Sequence, residues 1–307
     1  MNKSDTTINY LTIVGPTGSG KSSLAKKIAA KIDGEIISCD SVQIYKGFNI
    51  GSAKDSIKER KGIPHHLIDI AHWSEDFDAS QYASLARKAI EQICNRGKIA
   101  IVVGGTGLYL RALLGDNFHT LPTDPLIRSQ IQELSNSDIL KKLEKTDPQR
   151  AREIHPNDRV RLVRALELAT VLQKPLAQAI NLSQDTFYTK PKIQLFINPE
   201  RSYLHKRIAA RTTDMLQKGL IDEVKELLKE GCPQNVKPMQ SIGYAQVIHM
   251  LNGKIAKENL EEKIIFATRQ YAKRQCTWFK KINDKCTLYT EELNDSIIKK
   301  IFRQIAY

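Results

Sequence analysis

The segment that most constrains this chain is Gly15-Pro-Thr-Gly-Ser-Gly-Lys21-Ser22, a full match to the G-x4-G-K-[ST] loop. Gly15, Gly18 and Gly20 let backbone N–H groups curl around an anion, and Pro16, Thr17 and Ser19 complete the turn. Lys21 adds a positive charge, the following helix adds its N-terminal dipole, and Ser22 offers a hydroxyl to Mg²⁺. Such a loop needs a buried strand before it and a helix after it. Residues 10–14 are a short apolar, β-branched run that ends at Gly15. After Lys21, Leu24, Ile28 and Ile32 recur at helical spacing, with Ala25 and Ala29 beside them.

The same alternation continues. Residues 35–38 read as a strand that ends at Cys39-Asp40-Ser41, 79–96 as a helix, and 99–103 as a strand followed by Gly104-Gly105-Thr106-Gly107. Strands alternating with helices predict an α/β fold, a P-loop NTPase-like parallel sheet flanked by helices. Ligand residues then belong at the carboxyl ends of the strands, where the loop, Asp40 and Thr106 all fall. After about Leu114 the pattern changes. Residues 122–184 read as wholly helical (126–134, 138–145 and 158–173), an all-helical insertion. A strand returns at 192–197, and long helices are expected over 201–231 and 257–281. The expected organisation is a first part of the core at 1–118, the insertion at 119–190, and completion of the core with basic C-terminal helices at 191–307.

The formal net charge of +13 favours a polyanionic partner. The charge clusters. Residues 141–164 hold eight basic and four acidic side chains, with Arg159, Arg161 and Arg164 close together. Residues 269–285 hold six basic side chains and one acid, with Tyr271, Trp278 and Phe279 interleaved, a composition suited to RNA backbone and base stacking. The alternative is a solvated helix face whose aromatics pack inward. The five cysteines, at 39, 94, 232, 276 and 286, show no C-x2-C spacing and read as reduced thiols. The polar start at 1–9 and the lack of a long apolar run predict a cytoplasmic chain with no membrane contact.

The motif by itself suggests nucleotide binding, with ATP as the first candidate. Hydrolytic P-loop proteins place a metal-binding Asp at the end of an apolar strand. Here residues 99–103 end in Gly-Gly-Thr instead, and the acid near the loop is Asp40. Asp40 could assist a metal, act as a general base towards an acceptor, or simply cap a turn. Gly104-Gly105-Thr106-Gly107 places a hydroxyl opposite the loop, or is a plain turn. His65-His66 with Asp69 lacks metal-ligand spacing and reads as a loop bonded to its own backbone.

Together the motifs resemble one family, the bacterial-type tRNA dimethylallyltransferases, also called tRNA isopentenyltransferases. Besides Gly15–Ser22, the matching runs are Asp40-Ser-Val-Gln-Ile-Tyr-Lys46, Ile50-Gly-Ser-Ala-Lys54, Pro64-His-His-Leu-Ile-Asp69, Val103-Gly-Gly-Thr-Gly-Leu-Tyr109 and His155-Pro-Asn-Asp158. Arg164-Ala-Leu-Glu167, Ile242-Gly-Tyr244 and Arg269-Gln-Tyr-Ala-Lys-Arg-Gln-Cys-Thr-Trp278 complete the set, in family order. The resemblance implies transfer of the dimethylallyl group of dimethylallyl diphosphate to N6 of an adenine beside the tRNA anticodon, with release of diphosphate. It implies that the loop holds the donor's diphosphate with Mg²⁺, that Asp40 is the base, that Thr106 bonds near the reacting amine or the diphosphate, and that Lys21 and Arg211 stabilise the leaving group. Contacts to the anticodon stem-loop map onto Asp40, Ser41, Val42, Gln43, Thr106, Arg128, Arg161 and Arg164, and onto Gly243, Tyr244, Lys273, Arg274, Gln275, Trp278 and Lys280. Two positions depart from the pattern: Gly18 replaces a common Ala, and Val160 replaces a frequent Gln. A zinc-finger tail of the eukaryotic kind is not expected, and the chain is expected to act as a monomer. Two other readings stand beside this one: a P-loop kinase or RNA-stimulated ATPase, and an adenylate prenyltransferase acting on free nucleotide. The last would not need the basic segments.

Overall fold

Strand β1 (Tyr10–Val14) is buried along its whole length, as an apolar run with no polar alternation requires when both faces of its sheet are covered. In the computed structural model, which describes residues 10–115, 122–180, 191–282 and 285–289, β1 lies inside a six-stranded sheet. The other strands are β2 (Gly34–Cys39), β3 (His65–His66), β4 (Ile99–Gly104), β5 (Ile193–Ile197) and β6 (Cys286–Leu288). The order is β3-β2-β4-β1-β5-β6, with every pairing parallel. Helix α1 (Lys21–Ile32) returns from β1 and buries Leu24, Ala25, Ile28 and Ala29 against Leu11, Ile13, Ile101 and Leu195 of the sheet. Helix α2 (Ala79–Asn95) starts at a capping box. The Asp78 carboxylate accepts from the N–H groups of Ser80 and Gln81, and the Gln81 side chain accepts from the Asp78 N–H. Such a cap contributes about 1 kcal/mol.

The chain divides into two compact units, Met1–Leu114 with Thr189–Tyr307, and Gly115–Tyr188. In the first, α3 (Gly107–Leu114) follows β4, and α9 (Arg201–Gln217), α10 (Leu220–Lys229), α11 (Tyr244–Leu251) and α12 (Leu260–Phe279) follow β5. Leu204 and Ile208 of α9 pack with Ala272 of α12. In the second unit, α4 (Pro125–Gln132), α5 (Asn136–Thr146), α6 (Pro148–Glu153), α7 (Arg159–Leu172) and α8 (Leu176–Ile180) enclose Ile131, Ile139, Leu143, Leu162 and Leu166. Asp124, Ser135, Asp147 and Asp158 cap α4 to α7 with side-chain oxygens.

Three expectations change. The single helix over 201–231 is two, because Gly219 takes a left-handed φ of 94° and ends the run. His65 and His66 form not a loop but a short edge strand paired to Ile36 and Ile37. The His65 ring bonds the Ile63 carbonyl, while the His66 ring meets the Glu35 carboxylate at 2.7 Å. The helical reading of 122–184 gains α6, a single short span begun by Asp147 and Pro148; positions 181–184 lie outside the described residues. All five cysteines are free thiols. No helix among the described residues is long and apolar enough to cross a membrane.

Candidate active site

Strand order assembles the site. β4 lies between β1 and β2, so Gly104 is in register with both Val14 and Cys39. The carboxyl ends of three adjacent strands therefore present the P-loop, Asp40 and the Gly104-Gly105-Thr106 turn side by side. Gly104 is needed for this approach, since a Cβ there would lie 2.0 Å from the Cys39 carbonyl oxygen. The Thr106 N–H donates to that same oxygen at 3.2 Å, and the Thr106 hydroxyl accepts the Ser41 N–H at 3.0 Å. Asp40 Oδ1 accepts from the N–H groups of Val42 at 2.9 Å and Gln43 at 3.2 Å, which fixes the carboxylate at the strand end.

The P-loop makes the expected strand-loop-helix transition, with Gly20 left-handed (φ 91°) at the head of α1. Lys21 turns back over its own loop: Nζ donates to the Pro16 carbonyl at 2.6 Å. Burial, with added repulsion from Arg211, pushes its ammonium down to about 7, against an opposing pull from Asp40. Arg211 of α9 donates to the Ser52 carbonyl at 3.4 Å. Burial pushes the pKa of its guanidinium down too, with Asp40 the main opposing influence. One turn earlier Arg207 donates to the Gly18 carbonyl at 3.0 Å. Three cations thus surround the loop, with Asp40 as the nearby anion.

A cavity of about 360 Å³ joins these groups. Thr17, Lys21 and Ser22 of the loop line it together with Asp40, Ser41, Val42, Gln43 and Arg211, and so do Gly243, Arg274 and Gln275. Thr106 does not line it and acts on it through Ser41. Trp278 lies against the backbone of Gly107, beside the same turn. Tyr244 is fully buried, its hydroxyl donating to Glu223 at 2.6 Å. The Glu223 carboxylate also accepts the N–H groups of Asn49, Ile50 and Gly51, and so holds the Ile50–Lys54 segment. Gln43 uses its amide on the Ser52 carbonyl at 3.2 Å and accepts from the Ser38 hydroxyl at 3.2 Å. Lys273, Arg274 and Lys280 are exposed, and no ion pair engages them among the described residues. A larger groove, about 1160 Å³, runs between the start of α9 and α12, with Arg201, Lys206, Arg269, Lys273 and Lys280 on its walls.

In the helical unit, Arg128 and Arg164 both meet Glu167 at 2.9 Å, and that carboxylate is fully buried. Two guanidiniums sharing one carboxylate leave one net positive charge. Arg161 is exposed, and among the described residues its ion-pair partner is Asp158, one turn earlier at 3.2 Å. Sequence reasoning missed Arg207, although its spacing of four from Arg211 was a usable signal. It also placed Gln275 among the tRNA contacts and gave no sign of its bonds to Thr17 and Gly105.

The IPP transferase family model matches residues 43–282. This chain belongs to the IPP transferase family. The transferase is 43% identical over 279 residues to tRNA dimethylallyltransferase 1 of Citrifermentans bemidjiense, covering 90% of each chain. It is 43% identical over 274 residues to the tRNA dimethylallyltransferase of Syntrophomonas wolfei, covering 88% of this chain and 87% of the relative. Its fold matches the tRNA isopentenylpyrophosphate transferase of Staphylococcus epidermidis with a TM-score of 0.70 at 36% identity, over 97% of this chain and 99% of that one. It also matches a eukaryotic dimethylallyltransferase, solved acting on tRNA, with a TM-score of 0.77 at 32% identity, over 92% of this chain and 74% of that one.

Proposed function

We propose that this transferase moves the dimethylallyl group of dimethylallyl diphosphate to N6 of an adenosine beside the anticodon of tRNA. The observation that carries the reading is one cavity in which Lys21, Ser22 and Arg211 face Asp40. The cations suit a diphosphate leaving group, and the carboxylate suits an amine that must lose a proton. The bond from N6 to the allylic carbon forms as the carbon–oxygen bond breaks. The electron pair leaves on the diphosphate, and the N6 proton passes to Asp40. Asp40 Oδ1 is held by two backbone N–H groups, so Oδ2 is the acceptor. Lys21, Arg211 and the loop amides meet the charge that grows on the leaving oxygen, where preorganised donors act most strongly. The Ser22 hydroxyl, on the lining of this cavity, is a hard oxygen suited to Mg²⁺, which takes one or two protein oxygens and completes its shell with phosphate and water. Bound there, the ion would add Lewis-acid stabilisation to the departing diphosphate.

The acceptor base must leave its stack, which costs a few kcal/mol. Phosphate contacts from Lys273, Arg274 and Lys280 of the basic helical segment, and from Arg161, Arg164 and Arg128 of the helical unit, offset that cost. The enzyme works in the cytoplasm as a monomer, without a membrane. The test is transfer of labelled dimethylallyl from its diphosphate to unmodified tRNA in Mg²⁺, with AMP as competing acceptor and NTP turnover assayed in parallel. Label on tRNA supports the reading; label on AMP alone, or NTP hydrolysis without transfer, overturns it.

A further inference from the structure

Gln275 sits on the basic helix α12 yet is 6% exposed. Its carboxamide spans two loops of the site. Oε1 accepts the Thr17 N–H of the P-loop at 2.8 Å, and Nε2 donates to the Gly105 carbonyl of the β4 turn at 2.8 Å. The fit leaves no slack, because a Cβ on Gly105 would lie 2.3 Å from Nε2. We infer that Gln275 is a positioning residue: it sets the separation between the loop that holds the leaving group and the turn that fixes Ser41 and Asp40, and ties both to the helix that carries the RNA-facing cations. The inference rests on the P-loop holding the donor's diphosphate.

The chemistry of the amide supports this role. A glutamine is the right group because one loop offers a donor and the other an acceptor; a carboxylate could satisfy Thr17 but would face the Gly105 carbonyl with a like charge. Both bonded groups are backbone, so the side chain fixes main chain at each end rather than another rotamer. The carboxamide makes both bonds from a buried position, so its first partners are the two loops rather than a nucleotide base. The neighbouring Lys273, Arg274 and Lys280, by contrast, are exposed. Tension or displacement of α12 on RNA binding would therefore reach the donor loop directly through one side chain.

The experiment compares Gln275→Met and Gln275→Glu, both near-isosteric, with wild type in three measurements: steady-state transfer, inorganic diphosphate binding without RNA, and melting temperature. The expected result is a fall in kcat of about 10²-fold, the scale of a misplacement of about 1 Å in a reacting constellation, with KM for tRNA changed less than about threefold. Diphosphate affinity without RNA falls by about tenfold, the loss expected of a loop hydrogen bond. A second arm uses Gly105→Ala, which pushes the carboxamide aside. Its kcat defect is largely absent in a Gln275→Ala background, because the two changes break the same contact. An unchanged kcat with a raised KM for tRNA makes Gln275 an RNA contact and overturns the inference. So does a kcat loss that tracks melting temperature alone, or full additivity of the two substitutions. If wild type itself binds no diphosphate, the donor reading fails, which is a separate result from any of these.

Discussion

Lys21 supplies the most exposed test of the proposed chemistry. Burial and Arg211 hold its ammonium near 7 in the free protein, against an ordinary value of 10.5. A group that titrates there is about half charged at pH 7 and about one-hundredth charged at pH 9. A diphosphate in the loop favours the charged form, so binding raises the value and takes up a proton. The sign follows: affinity is highest below pH 7 and falls as pH rises through and above it. Between pH 7 and pH 9 the loss from Lys21 is about 50-fold, or about 2.3 kcal/mol. The assay is calorimetric titration of a non-hydrolysable allyl diphosphate across that range, in buffers of different ionisation enthalpy, which reports proton uptake directly. Lys21→Arg is the control. Its guanidinium stays charged throughout, so the difference in pH slope between it and wild type removes the ligand's own titration. Equal slopes for the two proteins, or no proton uptake by wild type beyond that of the variant, would refute the argument that Lys21 is the titrating cation of the donor site.

Asp40→Ala should lower kcat by about 10² or more, the scale of a lost general base, while calorimetry finds donor binding retained. Lys273→Ala and Lys280→Ala should each reduce the salt dependence of tRNA binding by about one unit of slope in log affinity against log salt, with diphosphate binding unchanged. Glu167→Ala should destabilise the protein by about 2 kcal/mol in thermal melts, since it removes a buried carboxylate that accepts from Arg128, Arg164 and the Asp124 N–H. Lys21→Met should do the opposite, raising stability at neutral pH by about 1 kcal/mol while abolishing transfer, because the wild-type ammonium is held against its preference.

What the sequence determined alone was local. The P-loop was legible because a strand, a glycine-rich turn and a helix are consecutive in the chain, and their chemistry depends on little else. Tyr10–Val14 reads as buried because its run has no polar alternation, and that is where the structure puts it. Asp40 and Thr106 were legible as strand-end residues from the same alternation. The break at Gly219 was written in the chain, but the hydrophobic period carried through it and hid it.

Only the tertiary structure decided that β4 inserts between β1 and β2, which makes Asp40 and Thr106 neighbours of the loop rather than distant strand ends. No local pattern encodes strand order, since each parallel strand of a buried sheet carries the same apolar signature. The same holds for Gln275. In the sequence it is one polar residue in a basic, aromatic stretch, where RNA contact is the natural reading. Its bonds to Thr17 and Gly105 join positions 258 and 170 residues away, and a separation of that length leaves no periodic trace. The P-loop could thus be recognised from eight consecutive residues, whereas what holds it at a working distance from Asp40 is a contact that only the folded chain creates.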